Sequence, residues 1–341
     1  MAQRRYHQID LLRSVACVMV VAFHYLCRGH QGGWVPFASP DSLRQIVKFG
    51  YLGVPLFFAI SGFVIFLSVQ KGDARTFVAS RAARLYPAFW VAIILTTAVV
   101  RWGGDVSLLV PWRDVLINFT MVPQWLGADL VDGAYWSLAV EFHFYIFVWL
   151  LLRFDVLRHI KSIMWVWLFV SFFNYFQSSY LIESLFEASW APFFCVGICA
   201  YLMREGDRTQ GVHLLFLFAA VLVLMYVRSR AGQVADFSGR DVAAAVLLGS
   251  LVPVAFWLIS RQKFEVAGGS VLYWAATLTY PVYVLHEYMG YVLMSRLHGL
   301  GVAPAICVVV VFSGVLVMAY QVHIRVERPL AGLIRKVVAG G

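Results

Sequence analysis

The chain has 341 residues, 61% of them hydrophobic and only 13% charged, with a mean hydropathy of +0.77. Ordinary soluble domains carry about 25% charged residues, so this composition excludes a water-soluble globular fold and leaves a polytopic membrane protein. The net charge of +9 does not call for a nucleic-acid partner, because cytoplasmic loops of membrane proteins collect Lys and Arg.

Apolar runs near 9–27, 50–69, 86–102, 134–152, 163–182, 190–203, 212–227, 241–259, 270–294 and 303–322 predict an all-α bundle of ten transmembrane helices. The sixth and seventh runs fall below the usual ~20 residues. A further stretch, 114–126, is too short to span and holds Asn118, Pro123 and Gln124, so it reads as re-entrant or interfacial. No internal repeat, heptad run or soluble domain interrupts the chain, and 1–341 reads as one membrane domain. The first run is too long for a signal-peptide core and lacks a small-residue cleavage site, so no cleavable signal is expected. The five cysteines fall within or at the edge of apolar runs and form no CxxC. Neither a disulfide framework nor a metal site is expected.

Ten spans place both termini on one side. With the N-terminus inside, the inner basic residues, from Arg4 and Arg5 through Lys71, Arg75, Arg81 and Arg84 to Arg335 and Lys336, outnumber the outer ones about two to one. The bias supports N-in and C-in. Arg228, Arg230 and Arg240, after the seventh run, are a local exception.

The first run carries three groups that a bilayer resists: Asp10, Arg13 and His24. Eleven helical steps separate Arg13 from His24, within about 20° of three whole turns, so both lie on one stripe about 16 Å apart along the axis. Asp10 precedes Arg13 by three positions and lies within its reach. The bland alternative is an Arg13 that snorkels to headgroups and a His24 at the outer interface.

Three further stretches carry polar groups. Arg81 and Arg84 are helical neighbours at the cytoplasmic entrance of the third span; two guanidiniums suit a phosphate or pyrophosphate, though taken alone they read as a positive-inside anchor. In 132–145, DGAYWSLAVEFHFY, Glu141 enters an apolar span about two turns deep and is expected to face the bundle interior. His143 lies about 200° round the helix from Glu141 and reads as interfacial or structural. In 279–287, TYPVYVLHE, Tyr283 and His286 share a face, and Pro281 marks a local break. His286 has two readings: it meets His24 or an acceptor, or a backbone carbonyl satisfies it. The stretch 50–63 is rich in small residues, which permit close helix contact.

These stretches, in this order, resemble the membrane acyltransferase-3 family of acyl-CoA-dependent O-acyltransferases. The features that match are Asp10, Arg13 and His24, the 50–63 stretch, Arg81-x-x-Arg84-Leu-Tyr-Pro, Trp136-Ser-Leu-x-x-Glu141-x-x-Phe-Tyr, and Tyr280-x-x-Tyr283-x-x-His286. Phe142 and His143 depart from the polar residues often found after the family's glutamate. The resemblance implies an acyl-CoA donor, usually acetyl-CoA, held from the cytoplasm, and no metal. It implies phosphates at Arg81 and Arg84 and a pantetheine arm passing Arg13, a span comparable to the ~16 Å from Arg13 to His24. His24 would be general base or acyl carrier, with Glu141 orienting it or relaying the proton. Asp10, Trp136, Tyr283 and His286 are the expected substrate-side residues.

The implied acceptor is a glycan or lipid-linked sugar, at a bacterial cytoplasmic membrane. A macrolide-type acceptor, the choice of acyl group and homo-oligomerisation stay open. Two rivals are a proton-coupled transporter, which lacks the expected inverted repeat, and a structural scaffold of a polysaccharide assembly.

Overall fold

The computed structural model describes residues 5–69 and 73–339. Arg4 and Lys71, counted above on the inner side, lie outside these residues, and the side chains of Arg335 and Lys336 are likewise not described. Among the described residues every regular element is helical. The long helices are α1 (His7–Phe23), α2 (Gly53–Val69), α3 (Ala74–Gly103), α4 (Trp136–Arg153), α5 (Ile160–Phe176), α6 (Ala191–Arg204), α7 (Gln210–Gly232), α8 (Gly239–Ser260), α9 (Ser270–Leu285), α10 (Glu287–Gly299), α11 (Pro304–Val322) and α12 (Arg328–Ala339).

Eight stretches among the described residues are long and apolar enough to cross a membrane, against the ten expected. All ten runs are helical. One of the missing two, α5, has only 17 residues. The other, 270–294, is cut at His286 into helices of 16 and 13 residues. The 114–126 stretch is not a span: it is a short helix, Trp112–Asn118, followed by a 3-10 turn, Pro123–Leu126.

The chain divides into two compact units. The first comprises Met1–Ala16, Leu52–Asp73 and Phe147–Leu272. Its centre is the contact of α2 with α6. Gly62 sits against the Phe194 carbonyl and Gly197 against the Ala59 carbonyl, so a Cβ at either position would strike backbone. Helices in lipid associate through such close approach, since lipid removes the usual drive to bury apolar surface. Phe63 meets Tyr6 and Tyr201 edge-on at 5.3 and 5.6 Å, and Phe58 meets Trp190 and Phe194, each at 5.1 Å. The Tyr226 hydroxyl donates to the Ser171 carbonyl at 2.8 Å, tying α7 to α5. A capping box, Ser238 with Asp241, opens α8.

The second unit comprises Cys17–Tyr51, Ala74–Ile146 and Tyr273–Gly341. Its spine is α3, 30 residues long and continuous through Pro87, against which α10 and α12 pack. Arg296 on α10 donates to the Gly103 carbonyl at the end of α3. The segment after α3 knits itself together through two buried polar side chains. Asn118 donates to the carbonyls of Asp114 and Asp129 and accepts from the Val131 N–H; Asp114 accepts from the Asp129 N–H. Burying these groups unpaired would cost about 1–3 kcal/mol each, so the network holds the loop that delivers Asp132.

Candidate active site

The site is built on an interruption. The sequence reading placed the break at Pro281, but α9 runs through Pro281 and stops at Leu285, with His286 between it and α10. Side chains serve the backbone groups at the gap. The His286 ring takes the Tyr283 carbonyl through Nδ1 at 2.6 Å. The Tyr135 hydroxyl donates to the Val284 carbonyl at 3.1 Å, and the Tyr25 hydroxyl to the His286 carbonyl at 2.8 Å. Asp132 accepts the Tyr288 N–H at 2.9 Å, acting across the chain as a cap for the first turn of α10. Its other oxygen accepts the Ala134 N–H at 2.9 Å. Burial pushes the Asp132 carboxyl up to about 7, against the downward pull of these two N–H donors.

Against this gap comes His24. It opens a π-helical segment, His24–Arg28, in which the Gly29 N–H reaches back to the His24 carbonyl. Such insertions gather at functional sites. The Nδ1 of His24 lies 2.7 Å from the Nε2 of His286, and the rings stack at 4.9 Å. With both rings neutral, the hydrogen bonds assign the tautomers. The Tyr283 carbonyl can only accept, so His286 Nδ1 carries the proton and its Nε2 is a lone pair. His24 must then donate from Nδ1, which leaves the lone pair on His24 Nε2. Glu287 completes the group. Its Oε2 lies 3.9 Å from His24 Nδ1 and has no hydrogen-bond partner among the described residues, while Oε1 accepts from Tyr291 at 3.4 Å. His286, Glu287 and Asp132 are all buried; His24 is partly exposed.

A second polar group lies further along the same helices. On α4, Ser137, Glu141 and Tyr145 follow at intervals of four, one stripe about 12 Å long. Ser137 shares a 2.6 Å hydrogen bond with the Tyr283 hydroxyl, beside His286. One turn on, Glu141 accepts from Tyr145 at 2.7 Å. The Arg81 guanidinium lies 5.9 Å over the Tyr145 ring and within electrostatic reach of Glu141. Tyr280 donates to the Leu85 carbonyl at 2.8 Å, one residue from Arg84. Arg84 is exposed and within electrostatic reach of Tyr145 and Glu327. A polar seam thus runs from His24 and His286 to the two arginines.

The residues singled out from sequence fall into three places. His24, Tyr283 and His286 are together, and His286 does both things foreseen for it: it meets His24 and binds a backbone carbonyl. Arg81, Arg84 and Glu141 form the far end of the seam. The carboxylate beside His24 is Glu287, to which the sequence reading assigned no role; Glu141 is engaged instead with Tyr145. Trp136 starts α4, half-buried. Asp10 and Arg13 belong to the first unit, where Asp10 is bound by Arg5 at 2.5 Å. The His143 ring lies tilted against Trp125, with centroids 3.9 Å apart. Sequence reasoning missed Asp132 and Glu287, both of which stand at the edge of stretches it had marked.

Residues 6–320 match the acyltransferase domain that defines the acyltransferase-3 family, and the chain belongs to that family. It is 24% identical over 318 residues to the ORF330 protein of Acidianus two-tailed virus, named for acetyl transfer, with 87% of each chain covered. It is 29% identical over 150 residues to an O-acetyl transferase of Shigella phage Sf6, covering 40% of this chain and 43% of that one. It is 28% identical over 117 residues to the exopolysaccharide production protein ExoZ of Rhizobium meliloti, covering 32% and 36%. No solved structure matches it.

Proposed function

We propose that this chain is an O-acyltransferase of a bacterial cytoplasmic membrane, moving an acyl group, acetyl in the simplest case, from acyl-CoA to a hydroxyl of an envelope or exported glycan. The observation that carries this reading is the 2.7 Å contact of His24 Nδ1 with His286 Nε2, whose own Nδ1 is on the Tyr283 carbonyl, an arrangement that in neutral rings leaves the lone pair on His24 Nε2. A base fixed in one tautomer is what proton removal from an alcohol requires.

His24 Nε2 takes the proton of the acceptor hydroxyl as its oxygen attacks the thioester carbonyl. The C–S bond breaks, the acyl ester remains on the acceptor, and the proton passes from His24 to the CoA thiolate. The imidazolium formed in between is shared with His286 and faced by the Glu287 carboxyl at 3.9 Å. Arg81 and Arg84 would hold the CoA phosphates, with the pantetheine arm along the seam of Tyr145, Ser137 and Tyr283.

A glycan acceptor suits the aromatic surface beside His24. Trp34 stacks on Tyr291 at 5.4 Å and lies 5.9 Å from Tyr288; Trp34 and Tyr288 are partly exposed. The names of two relatives, for O-acetyl transfer and exopolysaccharide production, point the same way. Mass spectrometry of envelope glycans with and without the protein tests the reading. An acyl-mass increment present only with the protein supports it; identical glycans contradict it.

A further inference from the structure

The first unit holds a cleft of about 380 Å³ that the acyl-transfer chemistry does not use. It lies between the ends of α6 and α8 and the start of α7. Arg204, Arg208, Arg261, Lys263 and His213 line it against a single carboxylate, Asp207. Asp207 is already taken: it binds Lys161 at 3.0 Å and the Thr209 hydroxyl at 2.6 Å. Arg204, its side chain only 4% exposed, is anchored by the Ile259 carbonyl at 2.5 Å and by Glu265 at 3.1 Å. Arg261 lies 3.4 Å from His213 Nε2 and 5.5 Å over the Trp257 ring.

The backbone around the cleft is fixed. Both α6 and α8 end in six-to-one hydrogen bonds, Asp207 N–H to Leu202 carbonyl and Lys263 N–H to Leu258 carbonyl. The left-handed residues these caps require are Gly206 and Gln262. Helix C-terminal dipoles and loop charge bias explain why basic residues stand near such ends. Neither explains a concave space that gathers four of them with Trp257, a partly exposed ring on a membrane-crossing helix. The cleft lies at the end of this unit that holds Tyr6, whose hydroxyl binds Glu205. On the N-in orientation that end faces the cytoplasm.

We infer that this cleft binds a phosphate group, and specifically the phosphate headgroup of an anionic phospholipid of the inner leaflet. Guanidiniums and an ammonium converging on one space suit a phosphate, and an aromatic side wall at the membrane surface suits the glycerol and first methylenes of a lipid. The inference is independent of the acyl-transfer reading.

Native mass spectrometry of the full-length protein in neutral detergent tests it, with phosphatidylglycerol, phosphatidylcholine and inorganic phosphate as probes. Two double variants are compared, Arg261→Ala/Lys263→Ala in the cleft and Arg153→Ala/Arg158→Ala at the end of α4 and on the loop that follows it. Phosphatidylglycerol is expected to bind the wild type about tenfold more tightly than phosphatidylcholine. The cleft variant should lose about tenfold in that affinity and the loop variant should not. Binding of inorganic phosphate alone, with the same variant dependence and displacement of the lipid, would keep the phosphate site but overturn the lipid as its occupant. Phosphatidylglycerol affinity unchanged by the cleft variant, or lowered equally by the loop variant, would overturn the inference altogether.

Discussion

The imidazoles of His24 and His286, 262 positions apart in sequence, meet Nδ1 to Nε2 at 2.7 Å, and the Tyr283 carbonyl sets which nitrogen of each ring carries the proton. The contact joins a π-segment at the end of α1 to the gap between α9 and α10. Each is a local departure from regular helix.

His286 is expected to act through His24. His286→Ala should lower kcat by roughly 10²–10⁴, the range for losing a correctly held base. His286→Gln, whose side-chain oxygen can still accept from His24 Nδ1, should recover part of it. Initial rates with saturating acyl-CoA measure both, and a Gln variant no better than Ala would argue against tautomer control.

Glu287→Gln keeps the size of the side chain and replaces the carboxyl that faces His24 with an amide. Activity should fall by about tenfold, or ~1.4 kcal/mol at the transition state, with KM for the donor unchanged. A rise in donor KM with kcat intact would place Glu287 in donor binding instead.

Asp132 ties stability to pH. Its carboxyl is pushed up to about 7 from 3.8, so between these values the unfolded chain releases a proton that the folded protein keeps. Folding stability therefore falls as pH rises through this window. Melting temperatures of the protein in detergent between about pH 4 and 7 should show the decline, and Asp132→Asn should flatten it. An equal slope in both proteins would assign the pH dependence elsewhere.

Gly197→Ala places a methyl against the Ala59 carbonyl, which is backbone and cannot rotate away. The α2–α6 contact should loosen at a cost of about 1–3 kcal/mol, read as a lowered melting temperature. Gly211→Ala, with open space around it in α7, is the control and should melt no lower than the wild type.

Much of this was legible in the amino-acid order. The apolar runs located every long transmembrane helix, and Tyr283 and His286 share a face because of their spacing alone. The count of full spans was not legible, because α5 stops at Phe176 and the run 270–294 is cut at His286. Pro281 misled about the position of that cut. The break comes from tertiary competition, a ring on the Tyr283 carbonyl and a carboxylate 156 positions away on the Tyr288 N–H. Asp132 and Glu287 were missed for the same reason. Neither shows a local spacing signal, and each matters only through a partner on another segment. The π-segment at His24 likewise rests on backbone register, which side-chain pattern does not report.

The donor end is separable from the chemistry. Arg81→Ala with Arg84→Ala should weaken acyl-CoA binding by about tenfold or more, since each loses a charged contact to phosphate. The most direct measurement is therefore made on His24→Ala: acyl-CoA binding and acyl transfer by the same purified, reconstituted protein. Binding within about twofold of wild type, with transfer reduced by at least about 10², is the predicted result. Transfer at the wild-type rate would contradict the assignment of His24 as the base.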